Sequence, residues 1–164
     1  MKKIFTTILG MSLLATAYAQ DIKQLEIGSD LPVSDIRLKD VSGKDVGFED
    51  VKKENGMLVM FSCNTCPYVV KSQARTREML DYAREKSIGV IVINSNEAQR
   101  DEADSYEAMK KYAKAQNYSV PYVVDEGSVV ADMFGATRTP EVFLYNAEGK
   151  LMYHGAMEDN PASP

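Results

Sequence analysis

The sequence predicts an α/β domain with a mixed central β-sheet flanked by helices, and three observations carry that expectation. Two runs of strand length, 57–61 and 90–93, are apolar at every position, as strands buried between helices must be. Each is followed by a stretch whose apolar residues recur at helical spacing. The chain then ends on a hairpin pattern, and strand–helix alternation that closes in a hairpin gives a sheet with both parallel and antiparallel pairs.

The elements follow in order. Met1, Lys2 and Lys3, an apolar stretch over 8–17 and the triplet Ala17, Tyr18, Ala19 have the pattern of a secretory signal peptide over residues 1–19. The apolar stretch is shorter than the ~20 residues that span a bilayer. The expected mature domain, 20–164, therefore has no stable membrane insertion after cleavage, and no cysteine at its start to carry lipid. A periplasmic or secreted location follows. One domain fits this length. Losing Lys2 and Lys3 takes the net charge from −5 to −7, which argues against nucleic acid as a partner, because phosphate backbones call for a basic face.

Residues 36–48 contain two short strand-like stretches divided by Ser42, Gly43, Lys44 and Asp45, so a hairpin is expected to lead into the domain. Strand 57–61 runs directly into the cysteine pair. Over 67–86, Val69, Thr76, Met79, Leu80 and Ala83 share a helical face, with Pro67 suited to the first turn. After strand 90–93, a helix over 101–116 would place Tyr106, Met109 and Ala113 on one face. Residues 122–124 read as a short strand and 128–134 as a short helix. Strands 142–145 and 151–153 pair across a turn that contains Gly149. The end, 158–164, is polar and Pro-containing.

The chemistry sits in Cys63 and Cys66, the only two cysteines of the chain. They flank two residues where a buried strand meets a helix. The helix N-terminus offers free N–H groups and the positive end of the dipole, which is expected to stabilise a thiolate on Cys63. Cys66, one turn on, is placed to resolve a mixed disulfide formed there. A purely structural disulfide is a poor account, because a ring closing over two residues constrains the unfolded chain very little. Structural zinc wants four ligands, more than two thiols and the single histidine, His154, provide. Copper held by two thiolates and an imidazole remains as a non-catalytic reading; otherwise His154 is a surface or hydrogen-bonded structural residue. No metal or other cofactor is expected. By base rate alone Thr139-Pro140 would be a trans proline opening a strand.

With these residues in view, the chain resembles the thioredoxin-like superfamily, and within it the redoxins, the group of alkyl hydroperoxide reductase and thiol-specific antioxidant proteins. The resemblance rests on residues 28–32, on Leu38, Lys39, Asp40, Gly43 and Lys44, on the runs 61–69, 93–96 and 121–125, and on Thr139, Pro140 and Glu141, all in the right order. It implies a thioredoxin-like fold with an N-terminal β-hairpin extension. It also implies that Cys63 is an exposed nucleophile, that Pro140 is cis and lies against the disulfide, and that Thr139 offers backbone groups to a substrate strand. The partners implied are protein disulfides or dithiols and an electron donor or acceptor.

Departures from the family pattern matter as well. Peroxiredoxins carry threonine or serine three residues before their peroxidatic cysteine; Cys63 stands there relative to Cys66, and Met60 relative to Cys63. Thioredoxins carry a buried acid on the strand before the pair, where this chain has 57–61, so the proton acceptor is unassigned. Glu141 is the nearest acid by resemblance, although strand alternation can turn it away, and Arg138 stands beside the proline. Family members usually end in a helix that this chain lacks in sequence, so an exposed apolar patch or a homodimer interface is expected there. The expected activity is thiol–disulfide exchange, as a reductase, since neither Asn64 nor Thr65 supplies a cation to favour the reduced form. Thiol peroxidase and copper-binding module are the alternatives.

Overall fold

Residues 23–158 are described by the structure, a computed structural model; the expected signal segment 1–19 lies outside the described residues. The strands are β1 (Leu38–Asp40), β2 (Asp45–Val46), β3 (Met57–Ser62), β4 (Gly89–Asn94), β5 (Tyr122–Val124), β6 (Glu141–Tyr145) and β7 (Leu151–Gly155). Interspersed are the helices α1 (Phe48–Val51), α2 (Pro67–Lys71), α3 (Gln73–Glu85), α4 (Tyr106–Ala115) and α5 (Val129–Phe134). The seven strands form one sheet in the order β2-β1-β5-β4-β3-β6-β7, with β3, β4 and β5 parallel and the flanking pairs antiparallel. The N-terminal hairpin is present, and β1 joins the sheet by pairing with β5.

Strand alternation divides the core in two. Val59, Phe61, Ile91, Ile93, Val123 and Phe143 face α1 and α5, while Leu58, Met60, Val90, Val92, Tyr122 and Val142 face α3 and α4. Continuous apolar runs in β3 and β4 are therefore covered on both faces. On the first face Phe134 is fully buried and meets Phe61 and Phe143 edge-on, at centroid separations of 5.3 and 5.2 Å. Gly89 is required where β4 starts, because a Cβ there would lie 1.9 Å from the Val51 carbonyl oxygen.

The structure departs from the sequence expectations at both long helices. The helix expected over 67–86 is broken at Ser72 (φ −91, ψ 6), whose N–H is shared between the Tyr68 and Val69 carbonyls. The Ser72 carbonyl also accepts the Thr76 hydroxyl at 3.1 Å, a side-chain bond of the type that bends helices. The helix expected over 101–116 begins only at Tyr106, capped by Ser105 in an extended conformation. Its first acids are not all solvated: the Asp104 side chain turns into the protein and is fully buried.

Among the described residues no helix follows β7. Instead Glu158 reaches back to the α2–α3 junction, accepting the Ser72 hydroxyl at 2.6 Å and pairing with Arg75 at 2.7 Å. On the last hairpin Leu144 is half-buried, its cross-strand partner Tyr153 is 47% exposed, and Met152 is 54% exposed.

Because Phe134 joins α5 to three aromatic side chains of the sheet, Phe134→Ala should lower unfolding free energy by about 3–5 kcal/mol in urea titrations. A loss under about 1 kcal/mol would show that α5 does not anchor this half of the core.

Candidate redox site

The site forms where β3 ends. Ser62 is the last strand residue, Cys63 to Thr65 make a turn, and Cys66 is the N-cap of α2 with Pro67 at the first helical position. Proline suits that position, where its missing N–H leaves no partner unmet. Antiparallel pairing of β3 with β6, with Phe61 opposite Glu141, brings the preceding loop alongside the cysteines. That loop contains a cis Thr139-Pro140 bond.

Thr139 touches both sulfurs. Its carbonyl accepts the Cys66 thiol at 3.3 Å, and its hydroxyl lies 3.6 Å from Cys63 Sγ. Both cysteines are free thiols. They lie at the floor of an open cleft of about 770 Å³ whose rim includes Ser95, Asn96, Asp132 and Arg138. A smaller hollow on the other side of the loop is formed by Tyr68, Arg138, Pro140 and Met157. Thus Cys63, Cys66, Thr139 and Pro140 are brought together, and exposed Arg138 stands at the rim of both depressions.

The two sulfurs differ, in the sense opposite to the sequence expectation. Cys63 is only 3% exposed, whereas Cys66 is partly open to solvent. Burial pushes the Cys63 thiol above its ordinary value; the Thr139 hydroxyl and the Cys66 amide oppose this, and the Asp104 carboxylate and Cys66 add to it. For Cys66 burial is the largest single influence and pushes upward. It is outweighed by the Thr139 hydroxyl, the Val69 and Tyr68 amides and the Cys63 thiol, which together hold Cys66 below its ordinary value. The helix N-terminus therefore acts on Cys66, because the helix starts after the second cysteine and not after the first.

Two buried acids border the site, and neither lies on β3. Glu141 is fully buried; its Oε2 accepts the N–H groups of Thr137 (2.8 Å) and Arg138 (3.2 Å), and its Oε1 has no partner. It holds the loop that presents Thr139. Asp104 is also fully buried and accepts from the Asn64 N–H and Asn94 Nδ2 on one oxygen and from Asn96 Nδ2 on the other, all at 2.7 Å. Asn64, inside the cysteine turn, is tied further by Nδ2 to the Ala103 carbonyl and by Oδ1 to the Tyr122 hydroxyl. In the sequence Asn64 counts only as a residue that brings no cation to the pair, and Asp104 does not stand out as a site residue. The available signal was the change from apolar strand to Asn94, Ser95, Asn96 at the end of β4, where three polar side chains follow a buried run.

His154 stacks on Phe143, with ring centroids 5.6 Å apart, and its Nδ1 is buried without a partner. The residue is half-buried on the edge strand β7, structural as expected, and packs through its ring. Among the described residues no group of three or more His, Cys, Asp or Glu side chains is arranged to hold a metal ion.

A sheet of this order, with a cysteine pair at the end of its central strand and a cis proline loop beside it, defines a thioredoxin-like protein. Comparison with known proteins agrees. The model of the AhpC/TSA family matches residues 27–154, so the chain belongs to that family. Among solved structures, it is similar to an uncharacterised conserved protein from Geobacillus kaustophilus (32% identity, 85% of this chain and 73% of that one, TM-score 0.78). It is comparably similar to a hypothetical protein from Sinorhizobium meliloti 1021 (31%, 86% and 76%, TM-score 0.78). The thioredoxin domain of a thiol-disulfide oxidoreductase from Bacteroides vulgatus shares the fold at 20% identity (81% and 90%, TM-score 0.65). None of the curated proteins matched the sequence. Family and fold give the chain a redox function of the thioredoxin-like type.

The Thr139 hydroxyl stabilises charge on both sulfurs, so its loss disfavours the thiolate. Thr139→Val should move the pH midpoint of Cys66 alkylation upward and slow its labelling by iodoacetamide at pH 7 about threefold. Peptide mapping by mass spectrometry would read this, and an unchanged profile would contradict the role given to the hydroxyl.

Proposed function

We propose that the protein is a secreted thiol–disulfide oxidoreductase that exchanges dithiol and disulfide with protein substrates through Cys63 and Cys66, and that it runs as a reductase. The observation that carries this reading is the meeting of both sulfurs with the Thr139 oxygens at the floor of an open cleft. An extended peptide laid along the Thr139-Pro140 loop would bring its own disulfide to the dithiol. In the exchange the two thiols give up two electrons and two protons and form the Cys63–Cys66 bond; the substrate disulfide breaks and takes them up as two thiols. A dithiol donor outside the chain returns the pair to its starting state.

The direction is supported by charge. Strong oxidants depend on a heavily stabilised reduced form. Here the charge that acts on Cys63 is the Asp104 carboxylate, which disfavours a thiolate there. Passage through residues 1–19 to an oxidising compartment is part of the same proposal, and it makes a dedicated donor necessary.

A second reading, thiol peroxidase, is favoured by the AhpC/TSA match and by the accessibility of Cys66. The two are separated by assaying reduction of insulin disulfides and consumption of hydrogen peroxide with dithiothreitol as donor. The proposal expects insulin reduction that falls by about 100-fold or more in Cys66→Ser and slow peroxide turnover. Rapid peroxide turnover without insulin reduction would overturn it.

A further inference from the structure

Arg138 is the arginine that the fold leaves without a partner. Of the other arginines in the sequence, Arg37, Arg75, Arg84 and Arg100 pair with carboxylates, and Arg77 donates to the Gln116 side chain. The Arg138 side chain is exposed and has no ion pair or hydrogen bond among the described residues. Its backbone, by contrast, is anchored: buried Glu141 accepts its N–H at 3.2 Å and that of Thr137 at 2.8 Å. A free guanidinium is thus mounted one residue before the threonine whose oxygens meet both sulfurs.

The charges around the loop give this placement its meaning. Among the described residues, Arg138 is the one basic side chain that lines the cleft over the cysteines, and also the one that lines the smaller hollow beyond Pro140. The acid in the hollow, Glu158, is already met by Arg75 at 2.7 Å and by the Ser72 hydroxyl at 2.6 Å. Asp132, on α5, lines the cleft but not the hollow. The chain as a whole carries −5, so an acidic partner gains nothing from the net field and has to be recognised at this spot. A planar guanidinium offers paired donors that fit a carboxylate. It is also more weakly hydrated than an ammonium, which suits a site walled on one side by Tyr68, Pro140 and Met157.

We propose that Arg138 is a specificity-determining residue: among polypeptide disulfides, it selects those with a carboxylate side chain beside the reacting cysteine.

A peptide strand paired with the Thr139-Pro140 loop would lie about 4.8 Å from it, with successive residues about 3.3 Å apart along the strand. An arginine stem spans those distances. With the substrate sulfur over the dithiol, the guanidinium therefore meets the side chain next to the substrate cysteine. The pair so formed is exposed, so it contributes several-fold and not orders of magnitude, and salt screens it. Its action is on encounter and orientation, not on the sulfur chemistry.

This inference rests on the dithiol-exchange reading and narrows its substrate. The probes are disulfide-linked dimers of one short peptide with Glu, Gln or Lys immediately before its cysteine. The reduced full chain is mixed with each, and every rate is divided by the rate of the same peptide with dithiothreitol, which removes the effect of the charge on the peptide's own thiol. The normalised rate for the Glu peptide should exceed that for the Lys peptide about fivefold at low ionic strength, and the gap should close in about 0.5 M NaCl. Arg138→Gln should erase the preference, Arg138→Glu should reverse it, and Arg138→Lys, which keeps the charge without the paired donors, should retain part of it. Altered folding alone would change all three rates together and leave their ratios as they were. A protein that reduces none of the peptides fails at the exchange reading and takes this inference with it. One that reduces them all alike, or whose preference survives Arg138→Gln, overturns the inference and leaves that reading standing.

Discussion

The site depends on the way β3 is held from both sides. Its parallel pairing with β4 sets Ser62 opposite Asn94, and its antiparallel pairing with β6 sets Phe61 opposite Glu141. A register slip of one residue on either side would turn these polar groups to the wrong face. With the registers as they are, the segment just past β3 emerges between an amide-rich corner after β4 and the Thr139-Pro140 loop before β6. The apolar side chains of 57–61 and 90–93 enforce the pairing, since each is buried against helices on one face or the other. Hydrophobic burial thus positions a redox group to which it contributes no polar atom.

Around that frame the electrostatics are asymmetric. Cys66 takes the favourable environment: helix amides, the Thr139 hydroxyl and partial solvent access. Cys63 takes the unfavourable one, enclosed and near a fixed anion. A dithiol built in this way does not gain stability from holding charge on both sulfurs, which is consistent with a pair that gives electrons up. The cost of burying Asp104 and Glu141 is offset by backbone and amide hydrogen bonds, and both acids use those bonds to fix loops that meet the sulfurs.

Much of this was legible in the sequence. Strands carried by continuous apolar runs were, because burial on both faces leaves no polar alternation to misread. The cysteine pair and Thr139-Pro140 were legible through spacing and family resemblance. Asp104 was not: in sequence it is one acid among several where helix-first-turn acids are common, and only the tertiary contact with Asn64 distinguishes it. The helix start at Pro67 was legible, but its consequence was not: as the N-cap, Cys66 and not Cys63 is the sulfur that meets the α2 amides. The break at Ser72 was hidden too: its carbonyl takes the Thr76 hydroxyl, and its own hydroxyl meets Glu158, 86 residues away in the chain.

The most direct test of the account is the redox equilibrium of the Cys63–Cys66 pair in glutathione or dithiothreitol buffers, read by thiol trapping. The account predicts one two-electron transition to an intramolecular disulfide, at a potential near or below the ~−270 mV of thioredoxin. A potential near ~−120 mV would mark an oxidant of client proteins, and glutathione adducts without an internal disulfide would show that the two sulfurs do not act as a pair.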